Sequence, residues 1–264
     1  MKRREFLTSS VTAAGLASGL GALTVNAADS AAKPAREFYE LRTYFLRRGP
    51  KQKLFDDFAS QAAIPALGRV GIGPVGVFNV MLGPDSPAVH VLIRYESIAQ
   101  FAGAAERLRG DADFLRLGAD FINAPANDPA YVRVESSLMV AFEGMPRLEV
   151  PPKKPRVFEL RTYESHSQKA HQKKVEMFNI GEIAIFRRAG LKPVFFGETL
   201  IGTRLPNLTY LLVYDDLAAR DQAWGTFVAD PEWKKLSTTP GYTDPEIVTN
   251  ISNVLLRPTA YSQI

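Results

Sequence analysis

The pentapeptide Glu40-Leu41-Arg42-Thr43-Tyr44 returns letter for letter as Glu159-Leu160-Arg161-Thr162-Tyr163, 119 residues further on. Sliding the chain over itself by that distance extends the match. Ile64 falls on Ile183, Arg69 on Arg188, Gly71 on Gly190, Tyr95 on Tyr214 and Asp111 on Asp230. Between Tyr39 and Leu117 there are 18 identities in 79 positions without a gap, where average composition gives roughly five by chance. One module is therefore written twice. Between the copies runs "MPRLEVPPKKP", Met145 to Pro155. Its prolines make it a stiff spacer. The predicted organisation is a first repeat over 37–144, a Pro-rich linker over 145–156 and a second repeat over 157–264.

Within each copy the hydrophobic period changes in a fixed order. Phe38 to Phe45 alternates like a strand, and Lys51 to Val70 has helical spacing that "GIGP" stops. Val75 to Leu82 and Val89 to Tyr95 are strand-like around a Gly-Pro turn cluster. Ser97 to Phe121 is helical in two pieces, and Tyr131 to Phe142 is a last strand. The second copy repeats this as 157–163, 168–189, 194–201, 208–214, 216–236 and 247–256. The order β-α-β-β-α-β is that of a ferredoxin-like sandwich. It leaves one sheet face bare, and two such units can cover each other. The chain is predicted to be α+β, two tandem ferredoxin-like repeats forming an intramolecular dimeric α/β barrel.

Side chains alternate across a strand. If the apolar set (Tyr39, Leu41 and Thr43; Phe158, Leu160 and Thr162) turns to the helices, two polar triads turn to the barrel lumen. These are Glu40, Arg42 and Tyr44, with Glu159, Arg161 and Tyr163. Asn79 and Glu198, at equivalent places on the next strand, are candidates to join them. Buried charges need partners, so each Glu and Arg is expected to meet. Two outcomes follow. A structural pair that fixes register would be closed and dry. A ligand site would leave a cavity on the order of a few hundred Å3. It would bind an anionic or carbonyl-bearing small molecule through Arg42 or Arg161, with Tyr44 or Tyr163 as donor or general acid.

Other candidates have plainer readings. His166 and His171 are five apart, about 140° around a helix, the wrong spacing for a shared metal; they read as solvated helix-start residues. A lone His90 can reach the lumen or a haem-like ligand. Asp230-Pro231-Glu232-Trp233 reads as a helix cap, with Trp233 packing where Phe114 packs in the first copy or standing at the mouth of a pocket, and Trp224, Phe227 and Trp233 are candidates for an oligomer contact. No metal site and no cofactor is expected. With no cysteine, thiol catalysis and disulfides are excluded. Lys+Arg 32 against Asp+Glu 28, with no basic block, argues against a nucleic-acid partner. At the start, Lys2-Arg3-Arg4-Glu5-Phe6-Leu7, the apolar run to Val25 and the small-x-small Val25-Asn26-Ala27 resemble a Tat-type export signal over 1–27. A flexible segment over 28–36 would follow. The expected location is periplasmic or extracellular, with no stable membrane insertion after signal removal.

"FELRTY" (Phe158–Tyr163), "AIFRRAG" (Ala184–Gly190), "LTYLLVYDDLAARDQAW" (Leu208–Trp224) and "DPEW" (Asp230–Trp233) together resemble the NIPSNAP family, of the dimeric α/β-barrel superfamily. The first copy keeps "YELRTY" but has Asp111-Ala112-Asp113-Phe114 in place of "DPEW". The resemblance implies the same tandem barrel. It implies little chemistry: eukaryotic members are associated with mitochondria and with vesicle or autophagy functions, and no catalytic residue transfers by motif. The expected function is small-molecule binding in a polar lumen. The alternatives are a cofactor-free monooxygenase or isomerase, as the superfamily contains, and an assembly protein without ligand. A homo-oligomer is an open expectation.

Overall fold

A computed structural model describes residues 34–83, 85 and 87–264. The expected export signal over 1–27 and most of the segment expected to follow it lie outside the described residues. The first repeat runs β1 (Phe38–Phe45), α1 (Pro50–Asp57), a π-helical turn (Phe58–Ala63), α2 (Ile64–Arg69), β2 (Val75–Val80), β3 (Ala88–Tyr95), α3 (Ile98–Arg109), α4 (Ala112–Leu117), α5 (Ala119–Ile122) and β4 (Arg133–Ala141). The second runs β5 (Val157–Glu164), α6 (Gln168–Met177), a π-helical turn (Phe178–Glu182), α7 (Ile183–Arg188), β6 (Lys192–Ile201), β7 (Asn207–Tyr214), α8 (Leu217–Ala229), α9 (Pro231–Ser237), α10 (Asp244–Ile247) and β8 (Asn250–Pro258). Both copies are thus β-α-β-β-α-β, with helix boundaries that shift by a residue or two from the predicted ones. The second helical stretch of the first copy falls into three pieces rather than two.

The eight strands close one antiparallel barrel in the order β1-β3-β2-β8-β5-β7-β6-β4. Two seams join the repeats. At one, Val80 pairs with Leu256 on β8; at the other, Val140 pairs with Glu198 on β6. Closure removes the open edges that each four-stranded sheet would expose alone. The C-terminal tail strengthens the first seam, where Val75 N–H donates to Gln263 Oε1 at 2.7 Å and Val77 N–H to Ser262 Oγ at 3.0 Å. The linker is pinned rather than loose: Leu148 N–H donates to Glu37 Oε2 at 2.8 Å, and Met145 is buried.

Several repeat identities now have a structural account. Gly71 and Gly190 sit just past α2 and α7 at φ 72° and 87°. The next residue folds back, Ile72 N–H onto Leu67 O and Leu191 N–H onto Phe186 O, both at 2.9 Å. That left-handed helix ending favours glycine. Asp111 and Asp230 cap α4 and α9 by accepting from Phe114 N–H and Trp233 N–H. Each also clamps an arginine from the preceding helix pair, Arg69 at 2.8 Å and Arg188 at 2.9 Å.

The core has three principal layers. Two are helix-on-sheet layers, one per repeat, built around Phe55 and Val91 in the first and around Phe186 and Tyr210 in the second. The third fills the barrel itself and draws on both repeats, with Tyr39, Leu92 and Met139 packed against Phe158, Val194 and Leu211. Tyr39 meets Phe195 at 5.0 Å and Phe78 meets Phe158 at 4.8 Å between ring centroids. Because this layer belongs to neither half, the described chain is expected to unfold in one step. Phe158→Ala should lower its stability by about 3–5 kcal/mol, read by urea unfolding. Two separate transitions would contradict the shared core.

Candidate functional site

The lumen packing corrects the predicted strand faces. Tyr39, Leu41 and Thr43 on β1 and Phe158, Leu160 and Thr162 on β5 point into the barrel. Glu40, Arg42, Tyr44, Glu159, Arg161 and Tyr163 therefore point outward, under the helices. The physical reason is space. An eight-stranded barrel is just wide enough for its inward side chains to fill it, and here large apolar residues do so. The polar triads lie where helices cover the sheet and where gaps between helix and sheet reach solvent. Glu198 also lies on the helix side, but its Oε1 is 3.3 Å from His171 Nε2 and it does not join the Glu159 cluster. His171 is buried at that contact, contrary to its reading as a solvated residue. Phe227 is buried and Trp224 and Trp233 pack against the same core, so these rings face inward.

In the second repeat the triad is closed. Glu159 is fully buried and accepts from six donors. Arg161 Nη1 donates at 2.8 Å, Arg220 Nε and Nη2 at 2.8 and 2.7 Å, and Trp224 Nε1 at 3.0 Å. Tyr214 Oη and Asn253 Nδ2 complete the set at 3.2 Å. Burial alone would raise the Glu159 carboxyl, but the hydrogen bonds from Arg220 and Trp224 and the charge of Arg161 hold it down at about 2. Arg161 lies 4.5 Å from the centroid of the Trp224 ring and donates to Tyr163 Oη at 3.3 Å. Tyr210 Oη donates in turn to Tyr163 Oη at 2.9 Å. Burial pushes the Tyr210 phenol well above its ordinary pKa.

In the first repeat the same triad is open. Arg42 Nε and Nη2 donate to Glu40 at 2.6 and 2.9 Å, and Ser136 Oγ and Tyr95 Oη add 2.7 and 2.9 Å. Burial opposes both charges, yet the pairing keeps Glu40 below and Arg42 above its ordinary pKa. The residues that close the second copy are missing here: Arg220 corresponds to Phe101 and Trp224 to Ala105. The Arg42 side chain is 34% exposed, against 13% for Arg161. It stands between two spaces. One is an open cleft of about 380 Å3 walled by Tyr44, Phe58, Phe121, Tyr131 and Ser136. The other is an apolar chamber of about 60 Å3 bounded by Leu67, Val91 and Leu108. Arg42, Tyr44 and Phe58 line both.

A further pocket of about 160 Å3 occupies one mouth of the barrel, among Thr43, Thr162, Thr209 and His90. His90 is one of the residues at this mouth of the lumen. Its Nδ1 is 3.0 Å from Thr43 Oγ1, and burial lowers its pKa to about 4, so the imidazole is neutral. Among the described residues no group of three or more His, Asp or Glu side chains gathers to hold a metal.

An eight-stranded antiparallel barrel built from two fused β-α-β-β-α-β halves has an architecture like that of dimeric α/β-barrel proteins. The family model for NIPSNAP matches residues 39–143 and again 158–263. The chain belongs to the NIPSNAP family, and carries two copies of its domain. Among solved structures, a NIPSNAP-like domain protein from Burkholderia xenovorans is 24% identical over 42% of this chain and 90% of its own, with a TM-score of 0.38. A candidate monooxygenase from Fusobacterium nucleatum covers 85% of this chain and 93% of its own at 9% identity and a TM-score of 0.57. A second, from Lactobacillus acidophilus, covers 84% and 94% at 10% identity and 0.55. These two likenesses concern the fold alone. No curated protein matches the chain.

The sequence reading missed the cleft walls Phe58, Phe121 and Tyr131 and the closing pair Arg220 and Trp224. The signal for the closing pair was present in the repeat alignment, as Arg over Phe and Trp over Ala. Glu159 generates a prediction. Its pKa falls from 4.5 to about 2 on folding, so its contribution to stability is present above pH 4.5 and is lost as pH drops toward 2. Glu159→Gln should cost about 3–5 kcal/mol near neutral pH, since it breaks a buried charge network. It should also flatten the loss of stability between pH 5 and pH 2, compared by urea unfolding.

Proposed function

We propose that this NIPSNAP protein binds a small molecule in the helix–sheet cleft of its first repeat, and that the second repeat is its structural counterpart. One observation carries the reading: the same Glu-Arg-Tyr triad is sealed by Arg220 and Trp224 in one copy and left facing a cleft of about 380 Å3 in the other. A cleft of that size falls within the range of ligand sites. Its apolar walls and single cationic donor give it the usual composition of one. The site thus moves from the barrel lumen to the outer face of the sheet. The basic, twin-arginine start of the chain supports export of the mature protein.

A second reading makes the cleft a reaction site, in which Arg42 polarises a carbonyl and Tyr44 acts as donor. It draws on the fold shared with candidate monooxygenases, and on Tyr44 standing beside Arg42 in both spaces. Turnover that falls in Tyr44→Phe while binding is retained would favour it.

The test transplants the seal. Ala105→Trp should set an indole over Arg42 as Trp224 lies over Arg161, leaving the fold intact. Fragments of mixed charge, both aromatic and aliphatic, are screened by NMR shift perturbation. Bound fragments are expected to perturb amides around Arg42, Phe58 and Tyr131 in the wild type and to be lost in Ala105→Trp. Fragments gathering at the barrel mouth near Thr43 and Thr162, or binding nowhere, would overturn the proposal and favour an assembly role.

A further inference from the structure

Resting on the cleft reading, we infer that the first repeat's ligand is a neutral, planar aromatic compound carrying a carbonyl oxygen, such as an aryl ketone or aldehyde. Three observations converge. The first is shape. Phe58 and Phe121 stack at 4.2 Å with an interplanar angle of 8°, Tyr131 stands 5.7 Å from Phe121, and Tyr44 stands 5.9 Å from Tyr131. These rings touch one another and form one aromatic wall of the cleft, and such a wall favours a flat ring over a saturated one, because aromatic pairs gain beyond their buried area.

The second observation is charge. Glu40 takes the Nε and Nη2 side of the Arg42 guanidinium, and among the described residues Nη1 has no hydrogen-bond partner. The pair carries no net charge, and no other Lys, Arg, Asp or Glu lines either space. A carboxylate entering the cleft would be desolvated against a guanidinium that Glu40 already neutralises. A ligand ammonium would meet the open side of Arg42. A neutral carbonyl oxygen escapes both costs, and still receives a charge-assisted hydrogen bond from Nη1.

The third observation is the sealed copy, which works as an internal template. There the Trp224 ring lies against the Arg161 guanidinium, with Phe186 and Phe227 at 5.7 and 5.6 Å between ring centroids. Their first-repeat equivalents, Arg42, Leu67 and Leu108, all bound the 60 Å3 chamber, and Ala105 takes the repeat position of Trp224. Among the described residues no ring of the chain lies over the Arg42 guanidinium, which therefore stays open on the side of the cleft. The chamber is too small for a second ring and accepts an edge or a short alkyl branch.

The mature chain is titrated calorimetrically with 1-indanone, indane, octahydroindanone, indane-5-carboxylate and 1-aminoindane. 1-Indanone should bind about tenfold or more tightly than indane, which lacks the acceptor. It should also bind more tightly than the saturated ketone, the acid and the amine. Arg42→Lys should shrink the preference for indanone over indane, and Ala105→Trp should abolish binding of every compound. If the acid, the amine or the saturated ketone binds as tightly as indanone and Ala105→Trp still blocks it, the ligand class is wrong and the cleft stands. If no compound binds the wild type, or binding survives Ala105→Trp, the cleft reading falls as well.

Discussion

The constraint behind this structure is that each half-barrel must hide the bare face of its sheet against the other. The two inner faces meet in a lumen only wide enough for packed side chains, and Tyr39, Met139, Phe158 and Leu211 fill it. Once apolar groups from both halves occupy that space, charged side chains on the alternate positions of β1 and β5 can only turn outward, into the layers between sheet and helices. The location of both Glu-Arg-Tyr triads follows from which residues the lumen admits.

Placing a Glu–Arg pair beneath a helix has different consequences in the two repeats. A buried carboxylate is tolerable only when donors surround it. Glu159 meets that condition with two arginines, an indole, a phenol and an amide. Glu40 meets it with fewer groups, because Arg42 folds onto it through two hydrogen bonds. The second arrangement needs no cover from α3, so Phe101 and Ala105 can stand where Arg220 and Trp224 stand in the other copy. An opening beside Arg42 follows from that economy of donors, and it is lined by whatever rings α5 and the segment before β4 supply.

The fold was legible because it rests on period and repetition. A gapless internal match, a change from alternating to helical spacing and a proline-rich joint together specified two like units and their closure into a barrel. Repeated glycines and the Arg69–Asp111 and Arg188–Asp230 clamps were visible as identities before their purpose was. The direction of the triads was not legible, because alternation separates two faces without saying which is inner. Both faces of β1 bear aromatic rings, Tyr39 on one and Tyr44 on the other, so hydrophobicity alone could not choose. The cleft escaped for another reason. Phe58 is far in the chain from Phe121 and Tyr131, and the three meet only through the way α5 folds under the sheet.

A fused pair of repeats can divide labour in a way that two identical chains cannot. In a symmetric dimer, any substitution that opens the helix–sheet layer opens it twice, and the shared lumen then bears both losses. Here the second repeat keeps a dense layer in which Phe178, Phe186, Phe196 and Tyr210 contact one another, and its packing continues through the seams into the common barrel. The first repeat can leave space beside Arg42 because its sheet is held by partners it does not itself supply. The differences at 101/220 and 105/224 are therefore positions at which this chain's two halves part in structure, one densely packed beneath its helices and the other open beside Arg42.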